Sequence, residues 1–169
     1  MDKLTLLQTI LSLQKKILEL LKLRQATQGN TNREKLFNTA FSCLGTDASP
    51  NDVAPDEYGC AETVNDIHKK CFGFPIGGEL STYRMYAVLK SSPLFTKVDS
   101  PLNGDIIISP TGYGNGKLSN GHVGIMAFGD KIMSNNSRTG KFEQNYNLAT
   151  WRARYKDIGA YPVDFFRRV

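Results

Sequence analysis

Three cysteines, Cys43, Cys60 and Cys71, and two histidines, His68 and His122, make up the whole thiol and imidazole inventory of this 169-residue chain. A thiol beside an imidazole is the minimal equipment for nucleophilic acyl transfer: the base takes the thiol proton and the thiolate attacks a carbonyl. The cysteines are odd in number, form no Cys-x-x-Cys pair and lack metal-ligand spacing, so neither a zinc site nor a disulfide framework is indicated. No metal or cofactor is therefore expected. A single bridge from Cys43 to Cys60 or Cys71 remains compatible with the sequence.

Surroundings separate these residues. Cys60 falls in the opening turns of a helix expected near residues 57–71, with Asp56 as a candidate N-cap. Amides and the dipole at a helix start favour an anion, so a thiol there is expected to have a lowered pKa, and the same amides can later hold an oxyanion. Gly59 suits a close approach by substrate backbone. Tyr58 either adds a hydroxyl to the oxyanion site or only packs. The competing reading of Cys60 is a small buried hydrophobe. Val64, Ile67 and Cys71 follow at helical spacing, and Cys71 and Cys43 are read as structural. His68 lies about 12 Å further along the Cys60 helix, too far for a hydrogen bond. His122 opens a β-prone run, flanked by glycines in Gly121-His122-Val123-Gly124-Ile125. A polar group should orient its ring. If a hairpin turns at Gly129-Asp130, the run Ser134-Asn135-Asn136 lies alongside; Asn135 is preferred on register, and a one-residue slip exchanges it for Asn136.

These residues need elements to hold them. Residues 33–44 place Leu36, Phe37, Ala40, Phe41 and Leu44 on one helical face, ahead of Gly45. A further helix is expected over 81–90. The period then changes to β: residues 104–109, 122–128 and 131–134 are short β-prone runs between Gly-rich turns, and 161–166 reads as a last strand. The loop from Thr111 to Gly116 is expected to wall a substrate cleft, and Trp151 is read as core. Helices followed by an antiparallel meander make an α+β domain. Ahead of it, residues 4–23 lack Gly and Pro, and Leu6, Ile10, Leu13, Ile17 and Leu20 form a coiled-coil-like seam. The expected organisation is an amphipathic helical arm over 1–26, a polar linker over 27–32 and a catalytic domain over 33–169. The arm either packs on its own domain, self-associates or docks on a partner.

The order of a Cys opening a helix, Asn103-Gly104-Asp105-Ile106-Ile107-Ile108 and Gly121-His122-Val123-Gly124-Ile125 resembles the NlpC-like and CHAP-like papain-fold cysteine peptidases of bacterial cell-wall turnover and phage lysis. The resemblance covers residues 56–136. It implies a papain-like fold, attack by Cys60 on an amide carbonyl, proton transfer by His122, orientation by Asn135, and peptidoglycan or its muropeptides as substrate. The chain departs from the family pattern at Gly59, where Asp or Gln is usual, and at the third residue, an amide in place of His or Glu.

Composition limits the alternatives. Lys and Arg exceed Asp and Glu by 21 to 16, unevenly: residues 1–35 sum to +4, 36–100 to −3 and 101–169 to +4. Such a weakly cationic surface suits an anionic polymer such as cell wall, but there is no dense basic stripe for specific nucleic-acid binding. Gln8, Gln14, Lys15, Lys16 and Glu19 interrupt the N-terminal apolar run, so neither a transmembrane segment nor an export signal is read, and synthesis in the cytoplasm with a phage-type release is expected. Two other functions fit the residues: an inactive papain-like assembly module oligomerised by its arm, and a Cys–His acyltransferase or deamidase acting on protein.

Overall fold

Runs such as Ile106-Ile107-Ile108 and Val123 to Met126 are apolar at successive positions, so as strands they must be covered on both faces. The computed structural model describes Thr9, Ile10, residues 12–17, residues 31–52, Pro55 and residues 58–169, and it covers them in that way. The order is α1 (Asn32–Ser42), α2 (Cys60–Phe72), α3 (Thr82–Ser91), β1 (Phe95–Val98), β2 (Ile106–Ser109), β3 (His122–Met126), β4 (Lys131–Asn136), β5 (Lys141–Asn147), α4 (Leu148–Trp151), a π-helical coil over Arg152–Ile158, and β6 (Asp164–Arg168). The strands form one antiparallel sheet in the order β1-β6-β2-β3-β4-β5. This is the expected α+β, papain-like class, with helices on an antiparallel sheet.

Alternation along the strands splits the interior into two layers. Ile106, Ile108, Val123, Ile125 and Met133 point to α1, α2 and α3, where they meet Leu36, Ala61, Val64, Ile67, Met85 and Leu89. Ile107, Met126, Ile132 and Phe165 point to the other side and pack on Trp151, Tyr155 and Tyr161. Full burial of a side chain such as Val64 or Ile67 contributes about 2 kcal/mol. Trp151 is fully buried, as expected, and its Nε1 donates to Ser109 Oγ at 3.0 Å.

Helix α2 begins three residues later than the sequence reading, with Gly59, not Asp56, at the N-cap. The Tyr58 amide bonds the Pro55 carbonyl at 2.7 Å, closing a separate turn before the helix starts. The hairpin does turn at Gly129-Asp130, both with positive φ. Strands β1 and β5 and the coil from 148 to 158 are additional to the sequence reading. The three cysteines are free.

The chain divides into two compact units, Met1–Thr31 and Asn32–Val169. In the first, Thr9, Ile10 and residues 12–17 are helical, and the seam positions Ile10, Leu13 and Ile17 are exposed. The remaining seam positions and residues 27–30 of the expected linker lie outside the described residues. Among the described residues, no helix is long and apolar enough to cross a membrane.

Candidate active site

A cleft of about 1000 Å³ opens where β3 begins, and Cys60 and His122 both line it. Two glycines permit this. A Cβ on Gly59 would run into the Ala48 carbonyl, and one on Gly121 into the Ser109 carbonyl, so backbone is packed against backbone immediately ahead of each candidate residue. The Asp that the resembling peptidases carry before Cys has no room here. Loop 48–51 is fixed to the first turn of α2 by the buried Glu62, which accepts from Ser49 Oγ at 2.7 Å and from the Asn51 amide and Nδ2 at 3.1 Å. Thr63 Oγ1 ties the same turn to the carbonyls of Gly59 and Ala48.

Cys60 is the first residue of α2, and its thiol is hydrogen-bonded by the backbone of Val123, the residue after His122, as well as by Ala61 and its own backbone. These bonds lower its pKa, yet burial outweighs them and pushes the thiol up to about 11. The helix start thus does not produce the lowered pKa expected from sequence, because desolvation penalises the thiolate more than the amides favour it.

His122 reaches the cleft from the other layer. Its ring lies 5.7 Å from Tyr155, nearly parallel at 14°, with Trp151 at 5.2 Å and Tyr146 at 5.8 Å. Burial in this aromatic box lowers its pKa to about 4; the Arg154 cation adds to the effect and the Asn135 carbonyl opposes it. Nε2 lies 3.0 Å from Ser134 Oγ. Asn145 Nδ2 donates to the Asn135 carbonyl at 2.9 Å, so its Oδ1 accepts from Ser134 Oγ at 2.7 Å. The Ser134 proton is thereby committed, and Ser134 accepts from Nε2–H. In the tautomer with Nε2–H as that donor, Nδ1 is unprotonated and able to take a proton.

The third position therefore differs in detail from the sequence reading. Gly124 pairs with Ser134, so even-numbered residues of β3 and β4 share a face, and His122 meets Ser134 diagonally. Asn135 lines the cleft but belongs by register to the opposite face, and its carbonyl is what acts on the imidazole. Asn136 lines the cleft and donates to Glu143 at 2.6 Å. The alternation rule applied to the hairpin would have indicated Ser134; Asn145, on the polar strand β5, gave no signal. Tyr58 is exposed on the cleft wall. Thr111 lines it too, bonded to the Gly121 amide at 2.8 Å and to Thr82 Oγ1 at 2.9 Å. His68 is buried in the core against Phe72, Phe74 and Phe95, with Nδ1 on the Phe74 carbonyl.

One wall is the π-helical coil Arg152–Ile158, in which the Gly159 amide bonds the Arg154 carbonyl at 3.2 Å across five residues. It supplies Arg154 and Tyr155 to the cleft. Arg138, in the β4–β5 turn, is a second charged lining residue; among the described residues, no Asp, Glu or Lys lines the cleft.

No protein-family model matches the chain, and a search of curated proteins returns no match. Among solved structures, a chain in the type VI native effector–immunity complex Tae3–Tai3 from Ralstonia pickettii is similar, with a TM-score of 0.51 and 19% identity over 82% of this chain and 99% of that chain. The likeness is one of fold.

Proposed function

We propose that this protein is a cysteine hydrolase that cleaves amide bonds in peptidoglycan, as an endopeptidase or an amidase. The observation that carries this reading is the convergence of Cys60, at a helix start, and His122, at a strand start, on one cleft, with the Cys60 thiol bonded to the backbone next to His122. The cell-wall substrate rests on the motif resemblance, and the fold shared with a chain of a type VI effector–immunity complex supports a role in a complex of that kind. A protein partner that docks on the domain fits the same likeness.

In this reading His122 Nδ1 takes the Cys60 Sγ proton as sulfur attacks the amide carbonyl carbon. The resulting oxyanion is held by the amides of Cys60 and Ala61 and by the Tyr58 hydroxyl. The imidazolium returns its proton to the amine, the C–N bond breaks and a Cys60 thioester remains. His122 then deprotonates a water that attacks the thioester, releasing the acid and the thiol. Ser134 and Asn145 keep the ring in its productive tautomer. Because the resting pair is a neutral thiol and a neutral imidazole, the proton leaves the thiol as sulfur attacks, and no ion pair accumulates beforehand.

Wild-type protein, Cys60→Ala and His122→Ala incubated with purified sacculi and muropeptides test the reading by chromatography of the products. New amino termini from wild type alone support it, and equal release by Cys60→Ala would overturn it. The buried, neutral resting thiol also favours a second reading, a binding module without turnover, in which all three proteins bind muropeptides and none cleaves them.

A further inference from the structure

We infer that Arg154, assisted by Arg138, binds a free carboxylate carried by the substrate close to the scissile amide. This rests on the proposed hydrolysis for its word "scissile" but not for the binding itself. Among the described residues, the two guanidiniums are the formally charged groups of the cleft, and its other polar lining, which includes Asn120, Asn136, Asn145 and Ser137, is neutral. An anionic ligand therefore meets attraction from two groups and, among the described residues, repulsion from no lining carboxylate. A cationic ligand meets the reverse.

Arg154 is the better placed of the two. It is exposed, sits 5.7 Å over the Tyr155 ring and bonds that phenol, and among the described residues it forms no ion pair with a carboxylate. Its planar fork has N–H donors to spare, in the geometry that suits bidentate carboxylate binding. Tyr155 also stacks on His122, so one phenol contacts both the guanidinium and the imidazole of the proposed base. The Arg154 charge in turn helps to lower the His122 pKa. Arg138 is partly engaged, since it acts on Glu143, which also accepts from Asn136 and from Thr139 at 3.0 Å. A supporting role follows for it. The ligand class is a peptide amide with a neighbouring carboxylate, as in an unamidated stem peptide.

The test pairs muropeptides whose stem carboxylates are free with the same muropeptides amidated. Binding is measured by calorimetry on Cys60→Ala, which removes turnover, alone and combined with Arg154→Gln or Arg154→Lys; kinetics are measured on the enzyme with Cys60 intact. Expected is a roughly tenfold or greater preference for the free carboxylate, lost in Arg154→Gln, partly kept in Arg154→Lys and weakened by salt. In turnover the Arg154→Gln defect should fall on KM more than on kcat, and only for the carboxylate form. Equal affinity for both muropeptides, or an unchanged preference in Arg154→Gln, overturns the inference. A protein that prefers the carboxylate yet cleaves neither form refutes the hydrolase reading and leaves the carboxylate site standing.

Discussion

Ser134 Oγ holds the Nε2 of His122 at 3.0 Å and is itself committed as a donor to Asn145. Two neutral side chains thus fill the place where a single amide or charged residue was expected. A hydroxyl that positions a base acts on kcat more than on binding. Ser134→Ala is expected to lower kcat about 10- to 100-fold with KM little changed, and Ser134→Thr to recover part of it. Asn145→Ala should follow Ser134→Ala, and the double variant should be no worse than either alone, because the residues act as one unit. Steady-state kinetics decide the matter: a larger defect in Asn135→Ala than in Ser134→Ala would return the third position to the Asn135 side chain.

The neutral thiol–imidazole pair sets a pH window for stability. His122 falls from 6.5 to about 4, so the unfolded chain takes up its proton first, and stability is lost as pH drops from 6.5 towards 4. At about 1.4 kcal/mol for each tenfold change in proton affinity, the loss is on the order of 3 kcal/mol. His68, also lowered by burial, acts in the same direction. Cys60 rises from 9.0 to about 11, so its contribution is present below pH 9 and lost as pH climbs to 11. Urea denaturation at intervals of pH should show a plateau between about 6.5 and 9. Replacing His122 with Gln should flatten the acid limb; an unchanged limb would mean that His122 is not held neutral by burial.

Thiol labelling should reverse the order expected from sequence. Cys71 is half-buried, whereas Cys60 and Cys43 are buried and Cys60 resists ionisation. At pH 7.5 iodoacetamide should modify Cys71 first, by peptide mass mapping, and Cys60 should gain on it only above about pH 9. Fast, selective labelling of Cys60 at neutral pH would show a poised thiolate and contradict the resting pair described above.

Gly59→Asp restores the usual family dipeptide but places a Cβ against the Ala48 carbonyl. Shifting that backbone costs about 1 to 3 kcal/mol and displaces the loop that Glu62 anchors. A lower Tm with reduced activity is expected from Gly59→Asp and Gly59→Ala alike. Tolerance of Ala at full stability would mean that Gly59 is dispensable.

What could be read from the sequence was what periodicity and local rules govern. The aliphatic run at 106–108, the helix through Val64 and Ile67 and the turn at Gly129-Asp130 announced themselves, and with them the cleft-lining positions of Cys60 and His122. Strand β5 did not, because Lys141-Phe-Glu-Gln-Asn-Tyr-Asn147 is polar and is held by its partner β4, not by propensity. Asn145 was lost with it. The thiol's upward shift was invisible for a different reason: a helix start is local, whereas burial beneath Val123 depends on the sheet. Local rules are equally silent on Arg167, which makes a two-point contact with the buried Asp105, at 2.9 and 2.7 Å, through a pairing 62 residues apart.

The π-helical wall ties the cation of the cleft to the packing around His122. A coil held by bonds such as that from Gly159 to Arg154 contains more residues per turn than an α-helix, so gain or loss of one residue there re-aims every side chain after it. Arg154 and Tyr155 ride on that coil, while Cys60, His122, Ser134 and Asn145 are anchored in α2 and the sheet. A one-residue change in length at 152–158 would then turn the cation of the cleft wall and the phenol stacked on His122 together, like two marks on one dial.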